Sequence, residues 1–216
     1  MIRIVIADDH VMVREGLKQL LSHEADLAVV SEAGDGHGVL QAIREVECDV
    51  LMLDMSMPGK SGVELLKQVK AEKPRLRVLV LSMHQEHQYA VRAIRAGASG
   101  YLTKDNASAQ LVAAIRKVAA GGAFITADVA EQLALGAMPN AEALPHAALS
   151  DREYQVFQLI VAGISVSNIA ERLNLSVKTV STHKARLMEK MGMASQADLV
   201  RYALRHQLFE DSAGPA

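Results

Sequence analysis

Up to about residue 125, short runs of consecutive apolar residues alternate with stretches in which apolar positions recur at helical spacing. The runs predict strands at 2–7, 27–32, 49–54, 77–82 and 99–103, and the periodic stretches predict helices at 11–23, 36–46, 62–72, 86–96 and 107–120. Strict alternation of this kind implies a parallel sheet with helices on both faces, because a parallel crossover needs a long connection and the helix supplies it. All strand carboxyl ends then share one rim, where an open α/β sheet leaves its ligand crevice.

The polar residues that interrupt the apolar pattern fall on that rim. Asp8 and Asp9 end the first predicted strand, Asp54 the third, Ser82 the fourth and Lys104 the fifth. After Asp54 the chain breaks at Met57-Pro58-Gly59, as expected where a buried strand opens into a loop. Taken alone, Asp54 fits a helix cap equally well, Lys104 a surface lysine and Ser82 a turn residue. Together they describe a chemical site. Two or three carboxylates repel one another unless a cation neutralises them, and an all-oxygen set with room for water suits Mg²⁺. Such a metal would orient a phosphoryl donor against Asp54, with Lys104 as a point charge for the phosphoryl oxygens and the Ser82 hydroxyl as a hydrogen-bond donor. No metal role is read for the histidines: His10 and His146 have no partner at metal-ligand spacing, and the His84–His87 pair lacks further ligands.

Beyond residue 148 the strand pattern disappears. Gly121-Gly122 end the fifth helix, Ala127 to Leu135 predicts one short helix more, and 136–145 reads as a linker. Ser150-Asp151-Arg152-Glu153 is a capping box opening a helix to about Ala162, and Ser165 caps a short helix through Leu173. Ser176 caps a third helix, from Val177 to Met191, and Ser195 to Asp198 is a capping box for a fourth, to about His206. Only Asn174-Leu175 separates the second helix from the third, a turn short enough for a helix-turn-helix. Val180, Leu187 and Met191 form one stripe of the third helix, and Lys178, Ser181, Thr182 and Ala185 lie opposite. That second face has the chemistry to read DNA, with hydroxyls for base edges, Ala185 for a thymine methyl, and Lys178, Lys184, Arg186 and Lys190 for phosphates. An ordinary bundle with a solvated basic face fits the same pattern.

Charge sharpens this division. Residues 1–148 carry 15 Lys and Arg against 18 Asp and Glu, whereas 149–209 carry 8 against 5, so the sign changes from −3 to +3. The excess permits nucleic-acid binding without demanding it. No apolar run approaches the roughly 18 residues of a membrane span, and the N-terminus enters a strand almost at once without a signal-peptide core, so a cytoplasmic protein is expected. Cys48 is the only cysteine, which excludes an intramolecular disulfide and a cysteine-based metal centre.

Residues 1–125 resemble the receiver domain of two-component response regulators through Ile4-Val5-Ile6-Ala7-Asp8-Asp9-His10, Leu53-Asp54-Met55-Ser56-Met57-Pro58, Gly62, Val80-Leu81-Ser82, Gly97-Ala98 and Gly100-Tyr101-Leu102-Thr103-Lys104. The resemblance implies a flavodoxin-like fold in which Asp54 accepts phosphate from a sensor histidine kinase. It also implies that Asp8, Asp9 and Asp54 hold Mg²⁺ with the Ser56 main-chain carbonyl, and that Ser82 and Tyr101 are a switch pair, Tyr101 turning inward on phosphorylation. Many receivers carry Pro after the active-site lysine. Here Asp105 stands there, and a more mobile charged loop is expected.

Residues 149–205 resemble the LuxR-type DNA-binding domain through Leu149-Ser150-Asp151-Arg152-Glu153, Gly163, Asn168-Ile169-Ala170, Leu175-Ser176-Val177-Lys178-Thr179-Val180, His183 and Lys190-Met191. They depart from it in the turn Gly163 to Asn168, where Val166-Ser167 intervene. A receiver followed by this module is the arrangement of the NarL/FixJ subfamily.

The expected organisation is therefore a receiver at 1–125, a linker with a short helix at 126–148, an all-α helix-turn-helix domain at 149–209 and a tail at 210–216. Expected DNA contacts are Lys178, Thr179, Ser181, Thr182, Lys184, Ala185, Arg186 and Lys190, and His183 is expected to be a hydrogen-bonded structural residue. Promoter DNA is the expected target, bound as a homodimer when phosphorylated, with Leu199, Val200, Ala203 and Leu204 of the last helix as the dimer face. The chain is expected to be a regulator and not an enzyme, apart from catalysing its own phosphotransfer and dephosphorylation. Two alternatives stand beside this one. A constitutive DNA-binding regulator would have a receiver answering another signal. A Mg²⁺-dependent phosphohydrolase would need an acid/base Asp two residues after the nucleophile, where this chain has Ser56.

Overall fold

The computed structural model describes residues 1–55, 57, 62–82, 87–135, 144–206 and 208. The chain divides into two compact units, residues 1–133 and 134–216.

In the first unit the strands β1 (Ile2–Ala7), β2 (Leu27–Ala33), β3 (Val50–Asp54), β4 (Arg77–Ser82) and β5 (Gly100–Thr103) alternate with the helices α1 (Val11–Leu21), α2 (Gly36–Glu45), α3 (Gly62–Glu72), α4 (His87–Arg95) and α5 (Lys104–Ala119). The sheet has the order β2-β1-β3-β4-β5, parallel throughout. This is the doubly wound arrangement that strict alternation requires. Every residue of β3 is buried, which explains why it reads as an unbroken apolar run ending in one carboxylate. Successive side chains of the strands feed two cores. Val5, Leu51, Leu53, Val78 and Val80 pack on one face, and Ile4, Ile6, Met52, Leu79 and Leu81 on the other.

The fifth helix begins at Lys104, not near 107. With no proline after the lysine, the helical conformation continues back to the end of β5, and the charged loop expected there is replaced by a helical first turn.

Past α5 the chain straps the edge of the sheet. Phe124 bridges to Gly100 in parallel fashion, the Tyr101 N–H donates to the Phe124 carbonyl (2.9 Å), and the Phe124 N–H donates to the Ser99 carbonyl (3.1 Å). A Cβ on residue 100 would lie 2.9 Å from Leu79 Cδ1 and 3.0 Å from the Phe124 carbonyl, so glycine is what allows this close approach. The helix α6 (Ala127–Leu135) follows and buries Val129 in the core of the first unit. Part of the stretch read as linker is thus packed on the first unit. Residues 136–143 lie outside the described residues.

The second unit opens with a 3₁₀ turn, Pro145–Ala148, followed by α7 (Asp151–Val161), α8 (Val166–Arg172), α9 (Val177–Met191) and α10 (Gln196–Arg205). Each of these four helices has a serine N-cap accepting from the backbone N–H three residues on. Tyr154, Phe157, Ile169, Val180, Leu187, Leu199 and Ala203 are buried. The turn between α8 and α9 passes through Asn174 at φ 54°, a left-handed position that asparagine tolerates better than most residues. His146 is 1% exposed, and its Nδ1 lies 2.8 Å from the Tyr202 hydroxyl, so the 3₁₀ turn belongs to the helical unit.

Candidate functional site

Strand register brings the polar rim together. Asp54 is level with Leu81, and Ser82 with Thr103, so Asp54, Ser82 and Lys104 leave neighbouring strands at nearly the same height. Asp8 follows directly on β1, its N–H bonded to the Ala33 carbonyl (3.1 Å). Asp8 and Asp54 are both fully buried. The Lys104 ammonium lies between them, 2.6 Å from Asp8 Oδ2 and 2.9 Å from Asp54 Oδ2. Burial works against its charge, yet the bonds to Asp8 and Asp54 outweigh that cost and hold the amine above its ordinary value. The lysine is therefore a fixed cation at the mouth of the site.

Residues that the sequence reading did not connect with this site complete it. The His10 N–H donates to Asp8 Oδ1 (2.9 Å), and the His10 ring Nδ1 lies 2.9 Å from Asp9 Oδ1. Arg14 donates from Nη1 to the Asp8 main-chain carbonyl (2.7 Å) and from Nε to Glu32 (3.1 Å), holding the acidic turn against β2. The signal for His10 was its adjacency to the carboxylates; a search for histidine partners misses it. Arg14 follows Asp8 by almost two helical turns and carries no comparable mark.

Buried Asp8 Oδ2 and Asp9 Oδ1 receive no hydrogen bond of good directional geometry, although Lys104 Nζ lies 2.6 Å from the first and His10 Nδ1 2.9 Å from the second. Donor atoms of Asp8, Asp9, His10 and Asp54 all lie within 4.8 Å of one another. Buried oxygen acceptors with spare lone pairs at this spacing fit a small, hard dication. The Ser56 carbonyl expected beside them lies outside the described residues.

Ser82 is buried at the end of β4, and Tyr101, level with Val80 one strand over, is 7% exposed. Tyr101 thus stands in an inward position in this structure. Its position in β5 places it in the core of the first unit, with the Phe124 strap alongside.

On the second unit, α9 divides as its periodicity demands. Val180, Leu187 and Met191 are buried, while Lys178, Ser181, Thr182, Ala185 and Arg186 are exposed on the other side. The hydroxyls are already donors: Ser181 to the Val177 carbonyl (2.9 Å) and Thr182 to the Lys178 carbonyl (3.0 Å). What they present outward is acceptor capacity. Thr179 is half-buried and paired with Ser176 at the helix cap (2.8 Å), and Lys184 reaches Gln196 (3.2 Å).

Lys190, expected as a phosphate contact, is engaged within its own domain. It donates to Glu153 Oε2 at 2.7 Å, closing on the capping box of α7. His183 is not hydrogen-bonded as expected, because its Nδ1 is buried without a partner among the described residues. The proposed dimer face shrinks as well: Leu199 and Ala203 are fully buried against the other helices, leaving Leu204, 60% exposed, with half-buried Val200 beside it.

A doubly wound sheet with an acidic rim clamped by lysine, followed by a four-helix module with a polar recognition face, defines a signalling receiver coupled to a helix-turn-helix domain. Residues 4–116 match the response regulator receiver domain, and residues 147–203 match the bacterial regulatory proteins of the luxR family. The chain belongs to the NarL/FixJ family of two-component response regulators. It is 36% identical over 209 residues to response regulator UvrY of Escherichia coli K12, covering 96% of both chains. It is 37% identical over 214 residues to response regulator GacA of Pseudomonas viridiflava, covering 99% of this chain and all of the relative. Among solved structures, RcsB of Salmonella enterica serovar Typhimurium bound to the rprA promoter with the phosphomimetic BeF₃⁻ matches at TM-score 0.64 and 28% identity, over 94% of this chain and 98% of that one.

Proposed function

We propose that Asp54 accepts a phosphoryl group from a sensor histidine kinase, and that phosphorylation controls binding of promoter DNA by the helical unit and so transcription. The observation that carries this reading is the Lys104 ammonium held between fully buried Asp8 and Asp54. An Asp54 oxygen attacks phosphorus, the N–P bond of the donor phosphohistidine breaks, and its electron pair stays on the imidazole nitrogen. Lys104, 2.9 Å from Asp54, would donate to a phosphoryl oxygen, and Ser82, at the end of the neighbouring strand, would donate its hydroxyl to another. The self-catalysed part of the chemistry is this positioning. Asp8, Asp9 and Asp54, with the Ser56 carbonyl as a further oxygen, would hold Mg²⁺, which supplies positive charge for the phosphoryl oxygens when bound.

DNA readout is assigned to Lys178, Ser181, Thr182, Ala185 and Arg186, the exposed face of α9. The RcsB relatives include a DNA complex and two dimers bound to DNA, which supports promoter DNA as the target and a dimer as the binding form. No described helix is long and apolar enough to cross a membrane, which accords with a cytoplasmic site of action. Incubation with an acyl phosphate and Mg²⁺, followed by intact mass measurement, tests the proposal. Wild-type chain gains one phosphoryl group and Asp54→Asn gains none; equal labelling of the two removes the assignment.

A further inference from the structure

The histidine that follows the acidic pair is left over from this reading. His10 precedes α1 in extended backbone (φ −89°, ψ 109°), and its side chain makes no capping hydrogen bond to the helix. Its Nδ1 lies 2.9 Å from Asp9 Oδ1 and 3.3 Å from Asp8 Oδ1. The contacts sort by oxygen. Lys104 occupies the Oδ2 side of Asp8 and Asp54, whereas the His10 ring sits over the Oδ1 atoms of Asp8 and Asp9. The ring side chain is 66% exposed, so packing does not require it there and it can exchange a carboxylate contact for a metal contact at little cost to the core. Asp9 Oδ1, which the ring faces, is buried and accepts no well-directed hydrogen bond, and neither does buried Asp8 Oδ2 on the Lys104 side, so the turn has coordination capacity to spare.

We propose that His10 is a nitrogen ligand of the dication site and biases it toward first-row transition dications over Mg²⁺. The inference rests on the reading that Asp8, Asp9 and Asp54 form that site. Mg²⁺ is a hard ion that prefers oxygen donors and retains its waters, and it gains little from an imidazole. Mn²⁺, and Co²⁺ more strongly, bind imidazole well, because affinity for nitrogen donors climbs along the first row. Three carboxylates alone discriminate weakly among these ions; a fourth donor of borderline softness discriminates in one direction. The ion class bound in the cell then depends on which dications are available as well as on the acidic pair.

The test uses the full chain as wild type, His10→Ala and Asp9→Asn, titrated calorimetrically with Mg²⁺ and with Co²⁺. The visible absorption of Co²⁺ is recorded in parallel. Only Co²⁺ displaced by saturating Mg²⁺ is scored, which sets aside binding to histidines elsewhere on the surface. The wild-type chain is expected to bind Co²⁺ more tightly than Mg²⁺. In His10→Ala the Co²⁺-to-Mg²⁺ affinity ratio is expected to fall about tenfold or more, since losing even an outer-shell partner of a metal ligand commonly costs that much. The displaceable Co²⁺ band should shift as a nitrogen donor is lost. An unchanged ratio and spectrum in His10→Ala, with both metals weakened in Asp9→Asn, overturns the role of His10 and leaves the carboxylate site standing. Undiminished Mg²⁺ binding in Asp9→Asn overturns both.

Discussion

Lys190 Nζ lies 2.7 Å from Glu153 Oε2, tying the last turn of the recognition helix to the cap of the first helix of its domain. Burial disfavours the Glu153 charge, but the bonds from Lys190 and from the Ser150 N–H outweigh it and hold the carboxyl below its ordinary value of 4.5. A depressed carboxyl stabilises the fold above its unfolded pKa, and the contribution is lost as pH falls through the folded value. Lys190→Ala is expected to cost about 1–2 kcal/mol at pH 7, less than for a fully buried pair because the lysine end remains partly in water. Urea unfolding checks this. The gap between variant and wild type should close as the pH falls below 4.5, and a gap independent of pH would detach Glu153 from the effect.

Removing the Lys104 charge leaves Asp8 and Asp54 facing each other in a buried site. Lys104→Met is expected to lower thermal stability without divalent ions and to recover more of it than wild type does on adding Mg²⁺, since a ligand that binds only the folded state stabilises it by mass action. Phosphoryl labelling should be strongly reduced in the same variant. Equal Mg²⁺ stabilisation of wild type and variant would mean that the lysine does not share the site with the dication.

The exposed face of α9 separates two kinds of DNA contact. Lys178→Ala should weaken specific and non-specific binding together and reduce the slope of log affinity against log salt by roughly 1. Thr182 spends its proton on the Lys178 carbonyl and offers only lone pairs, which suit a base amino group. Thr182→Ala should leave the salt slope unchanged while relaxing preference at one base position. Fluorescence anisotropy on variant operators at several salt concentrations distinguishes the two, and a changed slope for Thr182→Ala would make it a phosphate contact.

The last helix offers a contrast between two leucines one and a half turns apart. Leu199→Ala should destabilise the helical unit by about 2–5 kcal/mol, as for other fully buried leucines. Leu204→Arg should leave unfolding unchanged and weaken binding to a paired half-site more than to a single one, because Leu204 is exposed and is the main apolar group available for a partner. Sedimentation on DNA with one and two half-sites measures the difference. Equal weakening on both would place the dimer contact elsewhere.

The strands, the helices and the acidic rim were legible in the sequence because each rests on short-range rules: apolar periodicity, serine caps, and carboxylates at strand ends. The run 50–54 is the clearest case, since burial on both faces leaves no polar interruption before Asp54. The pairing of Lys190 with Glu153 was not legible because 37 residues separate them, and helical spacing says only which side of α9 a residue occupies. His146 was assigned to the linker for the same reason. Its hydroxyl partner, Tyr202, is 56 residues on, and no local pattern announces a buried imidazole bonded to a tyrosine. Leu199 and Ala203 looked like spare apolar surface because a sequence shows which residues are apolar but not how much neighbouring helix is there to cover them.

The strap at Phe124 has a consequence for how copies of this protein can meet. A parallel sheet ordinarily ends in a strand whose outward N–H and C=O groups invite another strand, a hazard for any abundant protein. Along β5 the Ser99 carbonyl and the Tyr101 N–H are already satisfied by Phe124, and Gly100 lets the strap lie too close for an incoming backbone to slip between. Edge-to-edge strand pairing is thereby blocked on this side, and reversible association there is left to side chains, which can be weighted by charge and shape in a way that backbone hydrogen bonds cannot. If the proposed dimer meets on this side, closing the backbone route would keep its assembly reversible. A residue-100 side chain, by forcing the strap away, would reopen it.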